Sequence, residues 1–219
     1  MPVPGTDKTL WDLKQDDFNW PAPLDMTNIS VNYDTAWLLE YYKSGDPGPV
    51  FRKNVEQALR TSEPGFSFNF YDKENETLRN ACTEVTSSED SDCCNLASVN
   101  LSRIESLEEL KDVVRLATKF LLCGTERADL PYFKVWETRS KTRRLGLGLM
   151  GIHEWLISRG SKYEVTPELH QWLGVWKGES ESTATSFAAE LSVNRPWGVR
   201  AIAPTGTIGI LAGTTTGIE

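Results

Sequence analysis

The chain has 219 residues, 39% hydrophobic and 25% charged, with 31 Asp+Glu against 23 Lys+Arg and a net charge of −8. That is enough chain to bury a core, and the acidic balance leaves no basic stripe for nucleic acid or an anionic membrane. No apolar run reaches the roughly 18 residues of a bilayer-spanning helix, the N-terminus lacks the regions of a signal peptide, and four cysteines are too few for a secreted disulfide framework, so a cytoplasmic protein is expected.

Residues 1–24, rich in Pro and Asp, read as an irregular lead-in. Ile29, Val31 and Tyr33 alternate with Ser30 and Asn32, the period of a short strand. Asp34 is placed to cap a helix over 35–43, which the SGDPGP cluster ends. A second helix is expected over 50–62 with Phe51, Val55, Ala58 and Leu59 on its inner face, stopped by Glu63-Pro64-Gly65. Phe66, Phe68 and Phe70 then alternate with small polar residues, as in a strand.

Residues 71–94 have no clear period and carry three of the four cysteines, the mark of a functional loop. An extended segment follows at 96–101. Ser106 with Glu109 forms a capping box that opens a helix to about Cys123, with Leu107, Leu110, Val114, Ala117 and Leu121 inward. Further helices are expected at about 145–159 and 167–192, and a strand at 199–203 running into a turn that opens another helix. Helices alternating with short strands suit an α/β barrel or layered sheet.

Four motifs carry candidate chemistry. In Asn80-Ala81-Cys82-Thr83-Glu84, alternation can turn a carboxamide, a thiol and a carboxylate the same way, a trio suited to one-electron or proton chemistry on a hydroxylated substrate. The alternative is a polar loop with an incidental cysteine. Cys93 and Cys94 are adjacent and can close only a strained vicinal disulfide, so they read either as one redox thiol with a distant partner or as two inert buried thiols. The turn Pro204-Thr205-Gly206-Thr207-Ile208, between strand and helix, offers N–H groups to an anion, or is a plain αβ turn. Gly146-Leu147-Gly148-Leu149-Met150-Gly151 has the formal dinucleotide spacing, but Lys141-Thr142-Arg143-Arg144 precedes it in place of a strand, so its glycines are expected to allow close helix packing instead. His153 and His170 have no ligand spacing, and no metal site is expected.

Together and in order, NACTE (80–84), CCNLASVNLSRI (93–104), RRLGLGLMGIHEWL (143–156) and APTGTIGILAGTTTGIE (203–219) resemble the catalytic subunit of ribonucleotide reductases, over roughly residues 24–219. The resemblance implies a ten-stranded α/β barrel, of which residues 25–219 would form part, with a central finger loop at about 71–94. It implies that Cys82 is the thiyl-radical residue that takes the substrate 3′-hydrogen, Glu84 the base for the 3′-hydroxyl, and Asn80 the amide that bonds the sugar. Cys94 would be one half of the reducing dithiol, and residues 204–208 would hold the substrate phosphates. No cysteine precedes Cys82, whereas the second family thiol lies upstream. The chain therefore reads as an internal piece of a longer reductase, split or trimmed, needing its flanking segments for activity.

The PTGTIGILAGTTTGIE run is more like the adenosylcobalamin-dependent class than the diiron class, so adenosylcobalamin is the expected cofactor of the assembled enzyme. A ribonucleotide substrate and a thioredoxin- or glutaredoxin-type reductant are the expected partners, with deoxyribonucleotides for DNA synthesis as product. A non-catalytic remnant or assembly piece is the alternative. A thiol–disulfide oxidoreductase using Cys93 and Cys94 is a more distant one, since the chain lacks a C-x-x-C.

Overall fold

The computed structural model describes residues 11, 27–70 and 78–218. The lead-in expected over 1–24 lies outside these residues except for Trp11, as does 71–77 of the long loop. The chain divides into two compact units, residues 1–88 and 89–219.

In the first unit, β1 (Ser30–Asp34) and β2 (Gly65–Asn69) pair in parallel, Ser30 opposite Gly65 through Asp34 opposite Asn69. The crossover between them is helical, with α1 (Thr35–Ser44) and α2 (Gly48–Thr61). Asp34 caps α1 as expected, its Oδ1 accepting from the Trp37 N–H at 2.9 Å. Strand alternation splits the sheet into two faces. Tyr33 and Phe66 stack at 6.1 Å between ring centroids on one face, where Tyr33 also meets Trp37 of α1 and Phe51 of α2. The other face is polar, and Ser67 and Asn69 are buried on it. Helix α2 turns differently from the expectation: Asn54 and Gln57 are its buried residues, and Leu59 is 83% exposed. Phe51, about two turns earlier, fills the aromatic cluster against Tyr33 and Trp37, leaving Leu59 outside it.

Two very short strands, β3 (Leu78–Arg79) and β4 (Thr86–Ser87), close an antiparallel hairpin. Its connection is residues 80–85, so part of the expected irregular loop is an ordered turn.

The second unit is built on β5 (Asn95–Asn100) and β6 (Leu145–Met150), parallel from Asn95 opposite Leu145 to Asn100 opposite Met150. Between them run a 3-10 turn (Leu101–Arg103), α3 (Leu107–Arg127) and α4 (Phe133–Thr142). After β6 come α5 (Ile152–Ile157), α6 (Pro167–Glu190) and α7 (Gly206–Ala212). Ser106 Oγ accepts from the Glu109 N–H at 3.2 Å, and Glu109 reaches back to the Glu105 N–H at 2.7 Å, so the α3 cap forms. Leu110, Val114 and Leu121 enter the core with Leu145, Leu147, Leu149 and Trp155, while Cys123 stays exposed.

The helix expected over 145–159 is instead a strand followed by one short helix. All six residues of β6 are buried, so no amphipathic period survives to separate strand from buried helix. The glycines serve strand packing rather than helix packing. A Cβ on Gly148 would lie 2.5 Å from the Ala201 carbonyl oxygen and 3.2 Å from Ser98 Oγ. On Gly146 it would meet the Leu96 side chain and Cys94 Sγ, the latter at 3.0 Å. The stretch expected as a strand at 199–203 does lie against β6, with Leu145 and Leu147 N–H groups donating to the Gly198 and Val199 carbonyls at 2.8 and 3.0 Å. It forms no regular ladder. Helix α4 had no clear sequence signal, because its buried positions include Thr138, Arg139 and Thr142.

Replacing Gly148 by alanine is expected to cost about 1–3 kcal/mol, because backbone must move to admit the methyl group. Denaturant unfolding monitored by tryptophan fluorescence measures it, with Gly174→Ala as the comparison, since a Cβ there meets nothing within 4 Å.

Candidate active site

Residues 80–85 form a turn closed at both ends by Asn80. The Asn80 N–H donates to the Val85 carbonyl at 3.2 Å, and Asn80 Oδ1 accepts from the Val85 N–H at 3.1 Å. The Asn80 carbonyl accepts from the Thr83 N–H at 3.1 Å. With its oxygen fixed, the carboxamide keeps its amino group for an outside partner. Thr83 sits in the left-handed region at φ 66°, uncommon for a β-branched residue, between Cys82 and Glu84. Cys82 is exposed as a free thiol at the tip. Both Glu84 carboxylate oxygens are shielded from solvent and have no hydrogen-bond partner among the described residues. A shielded carboxylate without a partner is costly unless a proton or a ligand hydroxyl meets it.

A second cluster surrounds Cys93 and Cys94, ahead of β5. Asp92 is its anchor. Asp92 Oδ2 accepts from Arg144 Nε at 2.9 Å, and the two side chains are only 8% and 10% exposed. Asp92 Oδ1 accepts from Thr142 Oγ1 at 2.8 Å and from the Cys93 N–H at 2.9 Å. Burial pushes the Cys93 thiol up and the Asp92 carboxylate pushes it further, against a smaller opposing effect of the Arg139 guanidinium. Cys93 is thereby kept a protonated, poorly nucleophilic thiol. Cys94 is half-buried, with its thiol 3.8 Å from the Asn95 carbonyl oxygen. Neither cysteine is in a disulfide, so no vicinal bond joins them.

The third cluster is the turn at the start of α7. Thr205 is its N-cap residue, in the left-handed region at φ 54°, and makes no capping bond with its side chain. Its Oγ1 instead accepts from the Gly217 N–H at 2.7 Å. Pro204, Gly206, Thr207 and Ile208 are exposed, so the first-turn N–H groups open outward. The following GTTTG loop is held by Glu154 of α5, which accepts from the Thr215 N–H at 2.7 Å and Thr215 Oγ1 at 2.6 Å. Thr215 in turn accepts from the Gly151 N–H at 3.0 Å. Among the described residues no three His, Cys, Asp or Glu side chains converge on a metal-sized space, and no helix is long and apolar enough to cross a membrane.

Asn80, Cys82 and Glu84 thus share one turn of the first unit, whereas Cys94 and residues 204–208 belong to the second. The family model described as the ribonucleotide reductase barrel domain matches residues 35–170. The chain belongs to the ribonucleotide reductase family. It is 30% identical to a putative adenosylcobalamin-dependent ribonucleoside-triphosphate reductase of Mycobacterium phage D29, over 97% of this chain and 33% of that protein. It is 29% identical to a vitamin B12-dependent ribonucleoside-diphosphate reductase of Mycobacterium tuberculosis, over 81% of this chain and 28% of that protein. Among solved structures, a B12-dependent (class II) ribonucleotide reductase superposes with a TM-score of 0.60 at 20% identity, covering 87% of this chain and 30% of that one. The class Id reductase alpha subunit of Actinobacillus ureae gives the same TM-score at 19% identity, covering 88% and 43%. The reductase α/β fold follows, and the chain spans about a third of the length of the curated relatives it matches.

Sequence reasoning missed Asp92, Arg144 and Glu154, which position these clusters. Each is a charged residue inside or beside a motif, but only burial and partners separate them from surface charges. Asp92→Asn is expected to lower unfolding free energy by on the order of 3 kcal/mol, since it removes one charge of a buried ion pair. Equilibrium denaturation measures this.

Glu154 gives a pH signature. Burial raises its carboxyl, but the Thr215 hydroxyl, the main-chain N–H groups of Glu154 and Thr215, and Thr214 together outweigh burial and hold it below its ordinary value. A carboxyl lowered by folding stabilises fully above its unfolded pKa and loses that contribution as pH falls through the folded one. Thermal melts between neutral pH and about pH 3 are therefore expected to show a smaller acid-induced drop for Glu154→Gln than for the parent protein.

Proposed function

We propose that the chain forms part of the catalytic barrel of a ribonucleotide reductase that reduces ribonucleotides to 2′-deoxyribonucleotides, with the 80–85 turn as the radical-bearing finger loop. The observation that carries this reading is the turn itself. It joins an exposed thiol, an oriented carboxamide and a shielded carboxylate without a partner. The two faces of the first unit support it further: the helices cover the aromatic face of β1 and β2, as on the outside of an α/β barrel, and the hairpin base sits on the polar face.

In this reading Cys82, as a thiyl radical, takes the hydrogen from the ribose 3′-carbon. Glu84 takes the 3′-hydroxyl proton, and the Asn80 amide donates to the sugar. The 2′-hydroxyl leaves as water. Cys94 and a second thiol supply the two electrons by closing a disulfide, and Cys82 returns the hydrogen to the 3′-carbon. Cys94 takes that role by its place directly before the NLASVNL run, while burial and Asp92 push the neighbouring Cys93 thiol up. Residues 204–208 would hold the substrate phosphates, with Pro204 and Thr205 shaping the turn and the N–H groups of exposed Gly206, Thr207 and Ile208 as donors.

The names of the relatives support adenosylcobalamin as cofactor of the complete enzyme. When bound, that group supplies the unpaired electron. The Cys82 thiol fits as its recipient, because it is free and exposed. A dithiol protein of the thioredoxin or glutaredoxin type would regenerate the Cys94 dithiol, and the remaining barrel segments found in the longer relatives would complete the site.

Turnover of a ribonucleotide by the complete reductase is expected to vanish with Cys82→Ser. Glu84→Gln is expected to lower kcat by about 10²–10⁴-fold, the usual worth of a general base. Product formation followed by chromatography decides both, and deoxyribonucleotide formation by the Cys82→Ser protein would overturn the reading.

A further inference from the structure

The residue directly before the turn has no role in that reading. Arg79 ends β3, and its side chain is not solvated freely. Its Nη2 donates to the Phe68 carbonyl at 2.6 Å and to Asn69 Oδ1 at 2.7 Å, and its Nε donates to Ser67 Oγ at 3.2 Å. The three acceptors belong to consecutive residues of β2. Asn69 also donates to Asn32 of β1 and, at 3.2 Å, to Ser67 Oγ, so the guanidinium is tied into a network that spans both strands.

The hairpin needs such an anchor. Strands β3 and β4 contribute two residues each, and an isolated two-stranded hairpin is marginal in water even when longer. A polar cleft of about 640 Å³ opens beside Asn80 and Ala81, above Ser30 and Asn32 of β1, so the turn has no dense packing on that side. A planar guanidinium with fixed N–H directions can meet three acceptors on one strand at once. An ammonium group delivers charge without that fork.

Resting on the finger-loop reading above, the geometry points to Arg79 as a positioning residue that clamps the hairpin base to β2 and thereby sets where Cys82 and Glu84 stand relative to the substrate. Arg79 is bonded directly to Asn80, so any slip of its side chain along β2 passes straight into the two Asn80–Val85 bonds that shape the turn. Arg79 touches no reacting atom, and its effect falls on the rate of the bound complex rather than on nucleotide affinity.

The test uses the complete reductase with Arg79→Gln, Arg79→Lys and, in parallel, Cys82→Ser. For Arg79→Gln, kcat is expected to fall about 10²-fold, the cost of a misplacement near 1 Å. The nucleotide KM is expected to stay within about twofold. Amide hydrogen exchange at Thr83 and Val85 is expected to speed up, and Arg79→Lys to recover only part of the lost rate. An Arg79→Gln enzyme with parental kcat overturns the proposal, as does a loss of kcat with unchanged exchange at Val85. Should Arg79→Gln fail to fold, Ser67→Ala carries the test, since it leaves Arg79 in place and removes the hydroxyl that accepts from its Nε and from Asn69. A lowered kcat with faster Val85 exchange then supports the clamp, and unchanged values overturn it. Turnover that survives Cys82→Ser defeats the finger-loop reading itself, whatever Arg79 does.

Discussion

Everything in the second unit depends on how closely the chain can approach β6. Six consecutive buried residues, Leu145–Met150, lie between β5 on one side and the 198–203 stretch on the other, and a side chain at Gly148 would collide with a backbone carbonyl. Only the alternation of leucine and glycine satisfies this. The leucines fill the core with Leu110, Val114 and Trp155, and the glycines let neighbouring chain segments close in. The same constraint sets the positions of two candidate groups. Cys94 packs next to Gly146, and the turn at 204–208 follows the stretch laid against Gly148.

Polar groups do the fine positioning in both units, each partly buried with its partners. Asp92 ties the cysteine pair to Arg144 and Thr142. Glu154 ties the threonine loop to α5, and Asn100 Oδ1 accepts from Ser102 Oγ at 2.8 Å and from Thr214 Oγ1 at 3.4 Å, holding that loop to the end of β5. In the first unit Arg79 plays the corresponding part for the hairpin. Such networks cost desolvation and are stable only when satisfied throughout, which makes them poor general glue and good devices for fixing geometry. Glu84 differs from these carboxylates, since its shielded oxygens have no hydrogen-bond partner among the described residues.

Much of this was legible along the chain. The Asp34 and Ser106 caps, the strands near 30–34 and 65–69, and helices α3 and α6 follow from local rules that hold whatever surrounds them: side-chain oxygens that cap, and apolar residues at a fixed period. Candidate residues were legible because their chemistry is rare. A thiol between a carboxamide and a carboxylate draws notice once it stands in register with the other three motifs. The failures share one cause. At β6, α4 and Leu59, the neighbours decide what is buried, and total burial or buried polar side chains erase the period that a sequence reading needs.

The sequence by itself determined the chemical groups and their order: Asn80, Cys82 and Glu84 at alternate positions, the paired cysteines at 93 and 94, and the threonine- and glycine-rich turn at 204–208. Those are properties of spacing along a covalent chain. Folding in three dimensions settles the rest: which carboxylates are satisfied, that Glu84 has no hydrogen-bond partner among the described residues, that burial and Asp92 push the Cys93 thiol up, and which arginine clamps the hairpin. Each of these depends on water being excluded and on donors arriving from residues far away in sequence, and neither is written in local order.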